Sequence, residues 1–368
     1  MGSTTVATSS CRSSERPPSL TDYGILSLAD HVSDPRTGQT NSQAARLQQV
    51  VENAVEAEAA EFTAFGVGEH HFSGYILSAP ELVLAAISSR TTKIRIGTSV
   101  TLLANTDPVR QAEQLATLDV LSKGRAEMTF ARGVSERTAH AFGISDLHEL
   151  RLRFEEYLGL VLRLFTEERV TWQGNYRAPL VDIRLEPRPI QKPYPPMWIG
   201  GGLSTTSAGL AASLGLPLFL PSLFRWPADY LAILDHYRTA RVEAGHNGRA
   251  RIGFPSYLHV AKTSQLARQR WRPHLEHYRD FALTVRSAFG RDTDFDSLLT
   301  GPAICGSPAE VVERITEIDE LLELDRHIFL LDAGGLPGKV ISEEMELLAT
   351  EVLPALARVA RPARPPID

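Results

Sequence analysis

Eight short apolar runs recur from residue 23 onward, each followed by a loop or a segment of helical spacing, and this alternation is what most constrains the fold. The runs are residues 23–29, 62–67, 93–100, 125–130, 197–200, 217–220, 251–261 and 327–331. Between the first two, residues 42–60 put Leu47, Val50, Val51, Ala54, Val55 and Ala59 on one helical face. Strand and helix in strict alternation predict a parallel sheet, and eight repeats predict its closure into an α/β (β/α)8 TIM barrel with insertions. A doubly wound open sheet would begin with a Gly-rich phosphate turn after its first strand, and HVSDPRTGQT stands there instead.

Two segments depart from the repeat. Residues 167–196 carry Gly174 and a series of prolines, which predicts an extended excursion with one hairpin. A polar helical insertion follows the seventh run, to about residue 290. No linker is long enough to split the chain, so residues 20–362 are expected to form one barrel domain. Residues 1–19, dominated by Ser, Thr, Pro and Arg, are expected to be a disordered tail.

Charge and composition exclude several classes of partner. The formal net charge is −6 and no Lys/Arg block stands out, so no nucleic-acid partner is expected. The most apolar stretch, residues 208–224, is broken by Ser213, Pro217 and Pro221, and no membrane span is expected. Residues 1–19 lack the apolar core of a secretory signal. Of the two cysteines, Cys11 falls in the tail and Cys305 far from it, which argues against a disulfide and for a reducing, cytoplasmic setting.

In a parallel barrel, ligand-contacting residues follow the strand ends. The second run ends in Glu69-His70-His71-Phe72, a grouping suited to general acid/base chemistry or to a metal. A metal needs three or four converging ligands, and the remaining histidines do not fall into ligand spacing; His148-Glu149 starts a zinc-helix motif that Leu152 breaks. No metal is expected. A hydrogen-bonded structural role for the two histidines is an equal rival at this point. The third run ends at Thr98-Ser99-Val100, followed by Asp107 and Pro108, which suit a helix start, and by Arg110 and Glu113 at pairing distance along it. The fourth ends in Ala131-Arg132-Gly133, where Arg132 could grip a phosphate or pair with a nearby carboxylate. The fifth ends in Gly200-Gly201-Gly202, with Ser204 and Thr205 opening a helix. That arrangement suits an anion cradle, or simply a capped helix after a turn. Asp332 to Pro337 reads as a tight turn.

Glu69-His70-His71-Phe72, Gly97-Thr98, the run DPVRQAE from Asp107, Leu118-Asp119, Ser122-Lys123-Gly124-Arg125 and Ala131-Arg132-Gly133 occur in an order that resembles the bacterial luciferase-like flavin monooxygenases. The likeness continues through PYPPMWIGGG and Cys305-Gly306-Ser307-Pro308-Ala309-Glu310. No single motif is specific; their order is. The resemblance implies reduced FMN as cofactor, or in a separate branch the deazaflavin F420. It further implies a monooxygenase in which reduced FMN and O2 give a C4a-peroxyflavin that oxidises a small organic substrate. An F420-dependent dehydrogenase or reductase of the same fold is the alternative. Electrons would come from a separate flavin reductase, and the assembly would be a homodimer. His70, with Glu69, matches the family's catalytic position. Thr98, Ser99 and Val100 match the segment against the flavin, with a non-proline cis peptide at or next to Ser99–Val100. Arg132, Gly200, Gly201, Gly202, Ser204 and Thr205 match the positions that hold the flavin phosphate. Two residues depart from the family pattern: Ala131 replaces the cysteine of the light-emitting subunit, and Glu61 stands where a turn glycine is usual.

Overall fold

The computed structural model describes residues 21–201, 204–221, 225–285 and 294–359; the expected tail lies outside them. Among the described residues the strands are β1 (Asp22–Ser27), β2 (Ala64–Val67), β3 (Arg95–Thr98), β4 (Thr101–Leu102), β5 (Ala126–Ala131), β6 (Val170–Trp172), β7 (Leu180–Ile183), β8 (Met197–Gly200), β9 (Leu218–Phe219), β10 (Ile252–Val260), β11 (Ala303–Gly306) and β12 (Arg326–Leu330). β1, β2, β3, β5, β8, β9, β10 and β12 pair in parallel in that order, and β12 pairs with β1 to close the ring. All eight apolar runs therefore lie in a closed parallel barrel, as their alternation with helices predicts.

Three features fall outside the sequence reading or sharpen it. β4 pairs with β5 beside the end of β3. β11 pairs with β10 from Tyr257 to Val260, because β9 covers only Ile252 and Gly253 of that edge and the rest would be left open. The Pro-rich excursion holds the expected hairpin, β6 with β7 antiparallel.

Alternation along the strands divides the core. Ile328 and Leu330 of β12 join Leu26, Trp198, Phe219 and Tyr257 in one buried cluster, whereas Phe329 joins the cluster beneath the surrounding helices. Toward the amino ends of the strands the polar groups become ionic. Arg326, 5% exposed, pairs with Glu127 and lies 3.6 Å from Asp22, while Arg95 Nε lies 3.0 Å from Glu127 Oε2. The guanidiniums of Arg251 and Arg326 stand 4.8 and 5.1 Å from the Trp198 ring. Burial alone would push the Glu127 carboxyl up, but the two arginines hold it below the ordinary carboxylate range.

The segment read as a polar insertion is more than an appendage. Its helix Ser264–Val285 buries Trp271, Leu275, Tyr278 and Ala282, at helical spacing, in the same cluster as Leu26, Tyr257 and Leu330. The helix follows β10, so it lies on the carboxyl-end side of the barrel.

Asp332, read as part of a tight turn, is a buried ionic partner. Arg46 Nη1 lies 2.9 Å from Asp332 Oδ2, and Arg46 Nη2 lies 3.0 Å from Asp30 Oδ1. Ser27 Oγ donates to Asp332 at 2.6 Å and the Gly334 amide donates to Asp30 at 2.7 Å. This knot ties the loops after β1 and β12 to the helix Gln43–Ala59. Burial pushes the Asp30 carboxyl above its usual range in spite of Arg46.

Candidate active site

β2, β3, β5 and β8 are consecutive around the barrel, so the loops leaving them share one arc of its carboxyl end. Close backbone contacts stitch these loops together. The Ser99 amide donates to Val67 O at 2.8 Å, and the Glu69 amide donates to Val100 O at 2.9 Å. Gly68 permits the approach, since a Cβ there would stand 2.9 Å from Ser99 O. Gly200 lies against the same wall, where a Cβ would meet Ala131 Cβ and Val100 Cγ1, each at 3.0 Å. The Ser99–Val100 peptide is cis, where the resemblance places one.

The two histidines after β2 have different surroundings. His71 Nε2 donates to Glu69 Oε1 at 2.6 Å, and Glu69 Oε2 accepts from the Leu102 amide at 2.8 Å, so the carboxylate joins its own loop to β4. Behind it, Gln111 Nε2 donates to Glu81 Oε1 at 2.8 Å, and burial pushes the Glu81 carboxyl above the usual range. His70 instead stacks on Tyr75, with ring centroids 4.1 Å apart and planes at 21°. Around His71 are two aromatic rings: Phe142 at 4.8 Å, edge-on, and Phe72 at 5.7 Å. Phe72 is 53% exposed and left-handed, with φ of 57°.

The expected anion groups sort into used and unused. Half-buried Arg132 makes no hydrogen bond or ion pair within the described residues, so pairing with a neighbouring carboxylate is not its role here. Ser204 is at the N-cap of the helix Thr205–Ser213, yet its side chain makes no capping bond. Among the described residues, the helix therefore presents open N–H groups beside an unengaged hydroxyl. Gly201 is less open, because its amide already donates to Phe219 O at 3.0 Å. Thr98 is 2% exposed, with its hydroxyl 2.6 Å from Met128 Sδ, so its side chain is spent inside the wall. Gly202 lies outside the described residues. Asp107 caps the helix Pro108–Leu121 by accepting from the Val109 and Arg110 amides, and Arg110 pairs with Glu113 at 3.2 Å, which leaves that block structural.

Sequence reasoning missed Tyr75, Tyr278, Phe281, Glu81 and the Asp30–Arg46–Asp332 knot. Only Tyr278 left a sequence signal, the apolar spacing of its helix. No group of three or more His, Cys, Asp or Glu side chains among the described residues could hold a metal ion, and no described helix is long and apolar enough to cross a membrane.

A parallel barrel with a histidine-bearing loop and, among the described residues, an unpartnered arginine on one arc of its carboxyl end defines a class of enzyme scaffold. The luciferase-like monooxygenase profile matches residues 21–322, and the chain belongs to that family. The limonene 1,2-monooxygenase of Rhodococcus erythropolis is 28% identical over 306 residues, covering 80% of this chain and 77% of its own. Monooxygenase RslO1 from Streptomyces bottropensis superposes with a TM-score of 0.80 at 28% identity, covering 91% of this chain and 99% of its own. Two more distant structures share the fold. One is the oxygenating constituent of 3,6-diketocamphane monooxygenase from Pseudomonas putida, in complex with FMN (TM-score 0.75, 18% identity, 91% and 98% covered). The other is an F420-dependent secondary alcohol dehydrogenase (TM-score 0.72, 16% identity, 91% and 99% covered).

Proposed function

We propose that this chain is a monooxygenase that binds reduced FMN at the arc formed by β2, β3, β5 and β8 and uses O2 to oxidise a small organic substrate. The observation that carries the reading is Arg132, a half-buried guanidinium without a partner among the described residues, on the same arc as the open helix end at Ser204 and Thr205. A cation left unpaired near the surface of a barrel mouth fits a phosphate that the folded chain itself does not supply. The backbone of Ser99 and Val100 forms the wall between these groups and the histidine loop. When bound, reduced flavin supplies the electrons that activate O2. The protein's part is to hold the phosphate with Arg132, Ser204 and Thr205, to exclude water, and to move protons through His70. Glu69 acts by position, because both of its oxygens are engaged, one with His71 and one with Leu102.

The family relatives named as monooxygenases and the Glu69-His70-His71 sequence favour FMN over F420. Electrons would be delivered by a separate reductase. The test is an anaerobic titration with reduced FMN, followed by O2-uptake measurements with candidate substrates. Sustained NAD(P)H consumption by the pure chain would contradict the two-component arrangement.

A further inference from the structure

At the amino end of the barrel, away from the histidine loop, a cavity of about 210 Å³ is lined by Arg238, Arg241, His246, Arg249 and Glu323. Its place follows from the chain. Arg238 and Arg241 belong to the helix Leu231–Glu243, His246 and Arg249 to the loop that leads into β10, and Glu323 to the turn before β12. The carboxylates beside the cavity are engaged. Asp325 pairs with Arg249 through one oxygen and accepts from the Ile252 amide at 2.9 Å through the other. Arg238 lies 3.1 Å from Glu323 and 3.4 Å from Asp235, whose side chains are 68% and 75% exposed, so water screens both charges.

Arg241 differs from these two arginines. It is 6% exposed, yet no acidic side chain among the described residues pairs with it, and its Nε, shut off from solvent, has no hydrogen-bond partner. Its neighbour is Tyr237, whose ring lies 5.9 Å from the guanidinium and whose hydroxyl donates to Leu216 O at 2.8 Å. Burial pushes that hydroxyl up to about 12, so it offers Arg241 an oxygen but no countercharge. A helix C-terminus also attracts a cation. Here, however, the carbonyls of Ala240, Arg241 and Val242 already accept from the amides of Ala244, His246 and Gly245.

We propose that Arg241 anchors an anion site at the amino end of the barrel, which takes the carboxylate or phosphate group of a small molecule. A charged side chain is rarely buried without a countercharge. The Arg249–Asp325 pair is balanced, so the charge left over among the buried groups of the cavity is that of Arg241. One oxyanion from outside the chain completes it, and the planar fork of a guanidinium matches either group. The site stands apart from the arc of β2, β3, β5 and β8 and does not depend on the flavin reading.

The experiment uses the full chain, with inorganic phosphate and acetate as probes, and reads equilibrium dialysis and melting temperature against sodium chloride at equal ionic strength. Arg241→Met keeps an aliphatic stem against Tyr237 and removes the charge; Arg241→Lys keeps the charge without the fork. Arg132→Ala removes the cation proposed for the flavin phosphate. One anion per chain should bind in the presence of excess FMN, equally in the parent and in Arg132→Ala. Its affinity should fall roughly ten- to hundredfold in Arg241→Met, as loss of a charged hydrogen bond does, and by less in Arg241→Lys. Tighter binding of phosphate assigns a phosphorylated ligand, and tighter binding of acetate a carboxylic acid. Without either probe, Arg241→Met should melt no lower than the parent, because a buried cation without a countercharge costs stability. The probe that binds should raise the melting temperature of the parent and not that of Arg241→Met. Binding that disappears on adding FMN or in Arg132→Ala belongs to the flavin site and overturns the proposal. So does binding of neither probe, or binding indifferent to Arg241→Met. An Arg241→Met chain that melts well below the parent or does not fold overturns it as well, since the guanidinium would then be a structural group.

Discussion

The Nε2 of His71 lies 2.6 Å from the Oε1 of Glu69, while its neighbour His70 lies flat against Tyr75. Adjacent imidazoles thus have different neighbours, one a carboxylate of its own loop and the other a phenol ring. We expect His70→Ala to reduce substrate oxidation by about 10²–10⁴-fold with little change in FMN affinity, the range typical of lost general acid/base help. His71→Ala should mainly lower the melting temperature, since it frees a partly buried carboxylate. Kinetics and thermal melts on both variants decide this; full turnover in His70→Ala with loss in His71→Ala would reverse the assignment.

Arg132→Ala should act on binding rather than on chemistry. Removing one charged phosphate contact costs about 1.5–3 kcal/mol, or roughly a ten- to hundredfold weaker Kd for reduced FMN. Its melting temperature without flavin should stay close to that of the parent, because the side chain has no partner among the described residues to lose. A large stability loss with unchanged affinity would make Arg132 structural.

Glu61 adopts φ of 65°, a left-handed conformation at the turn before β2. A Cβ in that region costs about 1–2 kcal/mol, and glycine returns about 0.5–1 kcal/mol of it as unfolded-state entropy. Glu61→Gly should therefore raise the urea midpoint modestly, with the slope of the transition unchanged. A lowered midpoint would show that the glutamate side chain contributes more than the turn costs.

The ionic floor of the barrel should be a strong point at neutral pH. Glu127→Ala leaves Arg326 only the more distant Asp22, and breaking a buried pair in this way costs about 3–5 kcal/mol. The Glu127 carboxyl is held below its ordinary value of about 4.5. Its contribution is therefore fully present above that value and is lost as pH falls through the lower folded one. The melting-temperature gap between the parent and Glu127→Gln should be constant from pH 8 to pH 6 and narrow below about pH 4. A gap that widens on acidification would contradict the sign of this shift.

The ring of strands was legible because its period and alternation are local properties of the sequence. So were the capping of the helix from Pro108 and the pairing of Arg110 with Glu113. Glu61 shows a subtler kind of legibility: the residue that departs from the family's glycine is the one found at positive φ. What sequence could not show depends on long-range closure. Asp30, Arg46 and Asp332 meet only because β1 and β12 are neighbours in the closed ring, and Tyr75 meets Tyr278 across 203 residues of sequence, from the helix that follows β10. β11 escaped notice because a four-residue strand on an open edge has no periodicity of its own. Thr98 follows from register: it alternates with Gly97, whose missing Cβ faces Glu127, and so turns its hydroxyl to Met128.

Reduced FMN is proposed to bind at the arc of β2, β3, β5 and β8. The most direct measurement of this binding is a pair of anaerobic equilibrium titrations of the purified chain, one with reduced FMN and one with reduced F420, followed by flavin fluorescence and repeated on Arg132→Ala. Reduced FMN should bind more tightly than F420, and the substitution should weaken it roughly ten- to hundredfold. Tighter binding of F420, or FMN affinity indifferent to Arg132, would contradict the proposal.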